Sequence, residues 1–218
     1  MALNEELLIK IIKSLTPDKK IQQIPFPRIT YREAMEKYGT DRPDLRTNKN
    51  DPNLLAFCWV IDFPFFEKTD TGGYTFTHNP FSRPMPEWEQ ALMEKQAIEK
   101  IITTQYDVVL NGFEIGGGSI RNHRPEALKK VFEIMGFSEE RIVNNFGHML
   151  EALASGAPPH GGIAWGLDRF ITLLAGEPNI REVIAFPKTG EGKDLMMDAP
   201  SEIEAIQLKE LGIEIKKK

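Results

Sequence analysis

The stretch Tyr106–Arg121 reads Tyr-Asp-Val-Val-Leu-Asn-Gly-Phe-Glu-Ile-Gly-Gly-Gly-Ser-Ile-Arg, and it constrains the fold more than any other part of the chain. Asn111-Gly112 between two apolar runs marks a two-residue hairpin turn, because both residues tolerate the positive φ of type I′. Such a turn sets Leu110 opposite Phe113, Val109 opposite Glu114, Val108 opposite Ile115 and Asp107 opposite Gly116. Side chains alternate along a strand, so Leu110, Phe113, Val108 and Ile115 share an apolar face. Asp107 and Glu114 share the other face as diagonal neighbours, roughly 7–8 Å apart at their bases. Two carboxylates so placed can converge on one cation. Arg121 follows Glu114 at an odd separation, so an unbroken strand points it to the opposite face. One bulge at Gly116-Gly117-Gly118, where it costs least, restores the parity. A structural hairpin with solvated acids accounts for this stretch equally well, so its function turns on other segments.

The 218 residues suffice for one sizeable core or a tight pair of lobes. Lys plus Arg number 27 against 32 Asp plus Glu, a net charge of −5. That balance argues against a dominant nucleic-acid footprint and leaves room only for a local basic patch. Cys58 is the only cysteine, so no disulfide framework or cysteine zinc site can form, and a reducing, cytoplasmic setting is expected. The acidic N-terminus has the pattern of neither a signal nor a transit peptide, and no apolar run approaches the roughly 18 residues of a membrane span.

In chain order, Asn4 suits an N-cap, with Glu5 and Glu6 in the first turn and a stripe of Leu7, Leu8, Ile11, Ile12 and Leu15 behind them. Pro25–Arg28 is extended. Thr30 and Glu33 form a capping box for a short helix stopped by Gly39, and Thr40–Asn53 is a polar loop. Phe57–Phe66 is an apolar strand interrupted by Asp62 and Pro64, and Tyr74–His78 alternates like a returning strand. Pro84–Gln105 carries weak helical periodicity. Two amphipathic helices follow, one through Leu128, Val131, Phe132 and Met135, the other through Ile142, Phe146, Met149, Leu150 and Leu153. Ser201 and Glu204 form a capping box for a last helix, and Lys216–Lys218 is a solvated tail. Hairpins mixed with helices, without βαβ alternation, predict an α+β fold. His123, His148 and His160 lack a metal-ligand spacing and are read as structural.

The second chemical element is His160–Arg169, a glycine-bounded strand feeding a helical stripe of Leu167, Phe170, Ile171 and Leu174. A cation in a helix's first turn opposes the dipole. Arg169 therefore needs a compensating partner, either Asp168 or an anion such as phosphate.

Gly162-Ile-Ala-Trp-Gly-Leu-Asp-Arg169 resembles the third signature motif of class II aminoacyl-tRNA synthetases, and Asn111–Arg121 resembles the preceding strand pair of their aspartate-type subgroup. Pro25–Tyr31, Asp41–Arg46, Trp59–Pro64, Ile184–Lys188 and Asp198–Ser201 narrow the resemblance to bacterial-type aspartyl-tRNA synthetases, in the family's order. The resemblance implies a class II antiparallel sheet flanked by helices. It implies ATP binding by Glu114, Gly166, Leu167, Asp168 and Arg169, with Glu114 and Arg169 catalytic. Asp107 joins Glu114 on Mg2+, Arg121 grips the side-chain carboxylate of L-aspartate, and His78 approaches the amino acid from a mobile loop. The implied reaction activates aspartate with ATP and passes it to tRNA.

Three departures separate the chain from that pattern. The family's anticodon-binding barrel and first two motifs are expected upstream of residue 1, so the chain corresponds to the C-terminal portion of the catalytic domain. The homodimer interface built by the first motif is missing with them, and the remaining half-sheet should expose an edge. The bacterial insert domain is reduced to Thr47–Cys58, and the usual pair of loop histidines is His78-Asn79. A regulatory module that kept the pocket, or a tRNA-independent aspartate-activating paralogue of asparagine synthetase type, fits the same residues.

Overall fold

The computed structural model describes residues 1–216; Lys217 and Lys218, most of the expected tail, lie outside the described residues. Helix α1 (Ala2–Leu15) leads into the short strand β1 (Lys20–Ile21). Strand β2 (Arg28–Thr30) runs directly into α2 (Tyr31–Tyr38), where Thr30 and Glu33 form the expected capping box and Gly39 closes the helix in the left-handed conformation. Strands β3 (Leu54–Leu55), β4 (Phe57–Ile61), β5 (Phe66–Lys68) and β6 (Tyr74–Phe76) follow, then helix α3 (Glu89–Glu94). Strands β7 (Gln105–Leu110) and β8 (Phe113–Ile120) form the central hairpin, with Asn111 at φ 51° and Gly112 at φ 89°. Helices α4 (Pro125–Ile134) and α5 (Glu139–Ala154), strand β9 (Gly161–Trp165), and helices α6 (Leu167–Ala175) and α7 (Ala205–Glu210) complete the chain.

The main sheet has the order β2-β4-β7-β8-β9. It is mixed, not purely antiparallel as expected: β2 and β4 are parallel, while every other neighbouring pair is antiparallel. A parallel pair needs a crossover of a dozen or more residues, and α2 with the loop after it supplies one. Strand β9 ends the sheet, with Gly161, Gly162 and Ala164 exposed and no further strand beside it among the described residues.

The hairpin register departs from the expected one after two pairs. Leu110 faces Phe113 and Val109 faces Glu114, but Val108 faces Gly116 and Asp107 faces Gly117. The bulge therefore falls at Ile115, one residue before the glycines. Its position follows from what covers them. A methyl on Gly116 would meet the Trp165 ring at 3.0 Å and the Ala164 carbonyl at 2.9 Å, and one on Gly118 would overlap the Gly162 carbonyl. Tyr106, opposite Gly118, donates its hydroxyl to that same Gly162 carbonyl at 3.0 Å. With the extra residue at Ile115, Gly116 lies under the Trp165 ring, Gly118 lies against the backbone of β9, and Ile115 stays in the core.

That core fills one face of the sheet: Phe57 and Trp59 of β4, Val108 and Leu110 of β7 and Ile115 of β8 pack against Leu8 and Ile12 of α1 and Phe170 of α6. The opposite face is apolar only at its β4 side, where Cys58, Val60 and Val109 meet Ala34 of α2 and Phe63. The α4–α5 pair closes a separate cluster around Phe132.

Three local expectations are corrected. Helix α1 starts before Asn4, with Met1 as its N-cap, because Glu5 is drawn inward: its carboxylate accepts from Trp59 Nε1 at 2.9 Å and Phe26 N at 3.1 Å. The segment 84–105 holds α3 between two single helical turns (Pro86–Trp88 and Ile98–Lys100) before β7 begins at Gln105, and the helical pattern breaks after Glu94, where Lys95 and Ala97 take positive φ. The last helix is capped by the backbone at Glu204, with no side-chain bond from Ser201. No helix among the described residues is long and apolar enough to cross a membrane.

Glu5 is 7% exposed and satisfies two buried donors, which ties α1 to β4. Glu5→Ala leaves both unpaired and is expected to cost about 3 kcal/mol of stability. Urea unfolding followed by tryptophan fluorescence checks this; a midpoint unchanged from wild type would rule out the tie.

Candidate nucleotide and amino-acid site

On the sheet face turned away from Trp59, Asp107 and Glu114 converge above Gly117. A Cβ at Gly117 would lie 2.5 Å from Asp107 Oδ1 and 3.3 Å from Glu114 Oε1, so the absence of a side chain is what lets both carboxyls occupy that space. Asp107 is buried, and the Gln105 amide is the only hydrogen-bonding partner of its carboxyl group among the described residues. Burial pushes the Asp107 carboxyl up to about 7, the nearby Glu114 charge pushes it the same way, and the Gln105 contact opposes them; Asp41 adds a smaller upward push. Two hard oxygen donors fit Mg2+, which usually takes one or two carboxylates and completes its shell with water and phosphate oxygens. No cluster of three or more potential ligands exists among the described residues, so protein groups alone make no closed metal cage.

Arg169 sits in the first turn of α6, whose approach is fixed by the Gly166 N–H donating to the Ile115 carbonyl at 2.9 Å. Its Nη1 donates to the backbone carbonyl of Glu114, and it makes no ion pair with Asp168 or any other acid among the described residues. Glu114, Gly116, Trp165, Gly166, Asp168 and Arg169 line one open cleft of about 380 Å³. Leu167 is 63% exposed and does not line it.

The remaining residues stand apart from that cleft. The bulge gives Arg121 the strand parity of Gly117 and Ser119, but its side chain lines a second cavity of about 280 Å³ with Phe81, Asn122, Leu128, Met149 and His160. The Arg121 N–H donates to the His160 carbonyl at 2.8 Å, which fixes the backbone there. His78 is exposed on the segment after β6 and makes no hydrogen bond among the described residues. Sequence reasoning passed over Gln105, although its position two residues before Asp107 places it on the same strand face.

A family model described as tRNA synthetases class II (D, K and N) matches residues 1–190. The chain belongs to this family. Among curated proteins, an aspartate–tRNA(Asp/Asn) ligase of Chlorobium luteolum is 52% identical over 166 residues, covering 76% of this chain and 27% of the relative. One from Phenylobacterium zucineum is 49% identical over 193 residues, covering 87% and 31% respectively. An aspartate–tRNA ligase of Streptomyces avermitilis is 49% identical, covering 79% and 29%. This class II synthetase chain thus spans less than a third of the curated relatives it matches. Among solved structures, the aspartyl-tRNA synthetase of Entamoeba histolytica superposes with a TM-score of 0.55 at 25% identity, covering 85% of this chain and 36% of that one. The asparaginyl-tRNA synthetase of the same organism, in complex with asparaginyl-adenylate, gives 0.56 at 20% identity, covering 87% and 41%, a likeness of fold alone.

The raised Asp107 carboxyl makes a signed prediction. The native chain holds a proton there up to about pH 7, while the unfolded chain releases it near the ordinary 3.8. Stability from this group is therefore full below about pH 4 and lost as pH rises to about 7. Asp107→Asn should flatten this fall and unfold later than wild type above pH 7; parallel urea-midpoint curves for the two proteins would refute the linkage.

Proposed function

We propose that this chain is the C-terminal portion of an aspartate–tRNA ligase catalytic domain, carrying most of its ATP and aspartate contacts. The observation that carries the reading is the meeting of Asp107 and Glu114 over Gly117, beside a cleft that Glu114 and Arg169 line together. In this reading Asp107 and Glu114 would hold Mg2+, which would supply charge neutralisation for the nucleotide phosphates. The Arg169 guanidinium receives the γ-phosphate, and Gly166 and Asp168 shape the approach to it. Arg121 binds the side-chain carboxylate of aspartate bidentately, which disfavours the uncharged amide analogue by leaving a cation unpaired. His78 approaches the amino acid from its exposed segment. The α-carboxylate of aspartate then attacks the α-phosphorus of ATP, pyrophosphate leaves, and the aspartyl group passes to the terminal ribose of tRNA. Displacement at phosphorus calls mainly for positioning and charge stabilisation, and these residues offer both. The lone buried Cys58 accords with a cytoplasmic setting.

The experiment is calorimetric titration with ATP and with aspartate. Arg121→Leu is expected to abolish aspartate binding while nucleotide affinity survives, and Arg169→Ala to weaken Mg2+-ATP at least about tenfold, or roughly 1.4 kcal/mol. Aspartate affinity unchanged in Arg121→Leu would overturn the assignment of that residue.

A further inference from the structure

Gln105 has no role in the assignments above, yet its setting is specific. It opens β7 two residues before Asp107, is 4% exposed, and lies opposite Ser119 of β8. Its N–H donates to Thr103 Oγ1 at 3.2 Å, and the Thr103 hydroxyl donates to the Phe63 carbonyl at 3.3 Å, so the backbone at this point is pinned. Its side-chain Nε2 lies 3.4 Å from Asp107 Oδ1 and 3.4 Å from Oδ2.

A buried amide must meet a partner, and this one meets a buried carboxylate that lies over Gly117, where no side chain competes for the space. The contact is shared between the two oxygens at equal distance, which favours one rotation of the carboxylate and leaves each oxygen a further lone pair for a ligand. An amide also adds no charge of its own, whereas a glutamate there would repel Asp107 and an aliphatic residue would leave it free to turn. The Ser119 hydroxyl, 2% exposed, on the same face and without a partner among the described residues, leaves a further donor on the tier that Gln105 occupies.

We propose that Gln105 is a positioning residue that orients the Asp107 carboxylate toward a divalent cation shared with Glu114 and the nucleotide phosphates. The inference rests on the reading of Asp107 and Glu114 as the metal carboxylates. Hydrogen bonds to a metal's ligands are worth about 10–100-fold in metal affinity.

The test uses the full chain and two probes, Mg2+-ATP and ATP in excess EDTA, titrated by calorimetry. Gln105→Met keeps an unbranched side chain of similar length and removes the donor; Gln105→Leu removes it with a different shape. Both are expected to weaken Mg2+-ATP binding by about tenfold or more while leaving affinity for metal-free ATP at the wild-type value. The rise in melting temperature on adding Mg2+-ATP, measured for each variant against its own baseline, should shrink in parallel. A merely structural glutamine would move both affinities together or neither. Retention of the full Mg2+ enhancement in Gln105→Met and Gln105→Leu overturns the proposal and leaves the metal assignment standing. A wild-type chain whose ATP binding ignores Mg2+ overturns both.

Discussion

The close approach of β8 to its two neighbours is the constraint from which the site follows. Only hydrogen fits at Gly116 and Gly118, where a Cβ would strike the Trp165 ring and the carbonyls of Ala164 and Gly162. Because these two positions must turn toward the same side, the strand takes its extra residue at Ile115, and Gly117 is left facing the other way beneath Asp107 and Glu114. The same packing holds β9 against β8, and β9 delivers α6 with Arg169 at its start. One backbone contact therefore sets the positions of two acids and one guanidinium contributed by three separate elements.

Two buried carboxylates on opposite faces of the sheet show how differently such groups can be treated. Glu5 receives a donor at each oxygen, from the Trp59 ring and the Phe26 backbone, and its contribution is to hold α1 in place. Asp107 receives one long, shared contact and faces a second acid. The first arrangement is complete within the chain; the second is left short of positive charge. Unpaired buried acids are costly, and a group kept in that condition is a mark of a binding site more than of a framework.

Much of this was legible in the residues. Asn111-Gly112 fixed the hairpin turn because φ above zero at both positions is a local demand, answered by residue type alone. The capping box at Thr30 and Glu33 is local in the same way, as is the glycine stop after it. What escaped was decided by distant groups. The bulge sits at Ile115 because the Trp165 ring and the backbone of β9 close over the glycines, and the pairing of β2 with β4 is parallel because of where the crossover returns the chain. The start of α1 was missed because Glu5, well suited to a solvated first turn, is instead claimed by Trp59. In the site, the pairing of Asp107 with Glu114 could be anticipated from alternation, whereas the carbonyl on which Arg169 rests, and the separate cavity that Arg121 lines, depend on packing across the sheet.

The resting state of Arg169 has a consequence of its own. Its guanidinium is docked on an uncharged acceptor, the Glu114 carbonyl, and not on an acid. An arriving anion adds a full Coulomb attraction to the guanidinium that the uncharged carbonyl lacks, so it displaces the carbonyl without having to break a salt bridge. The carbonyl acts as a holster: it keeps the cation aimed along the cleft and lets go at small expense.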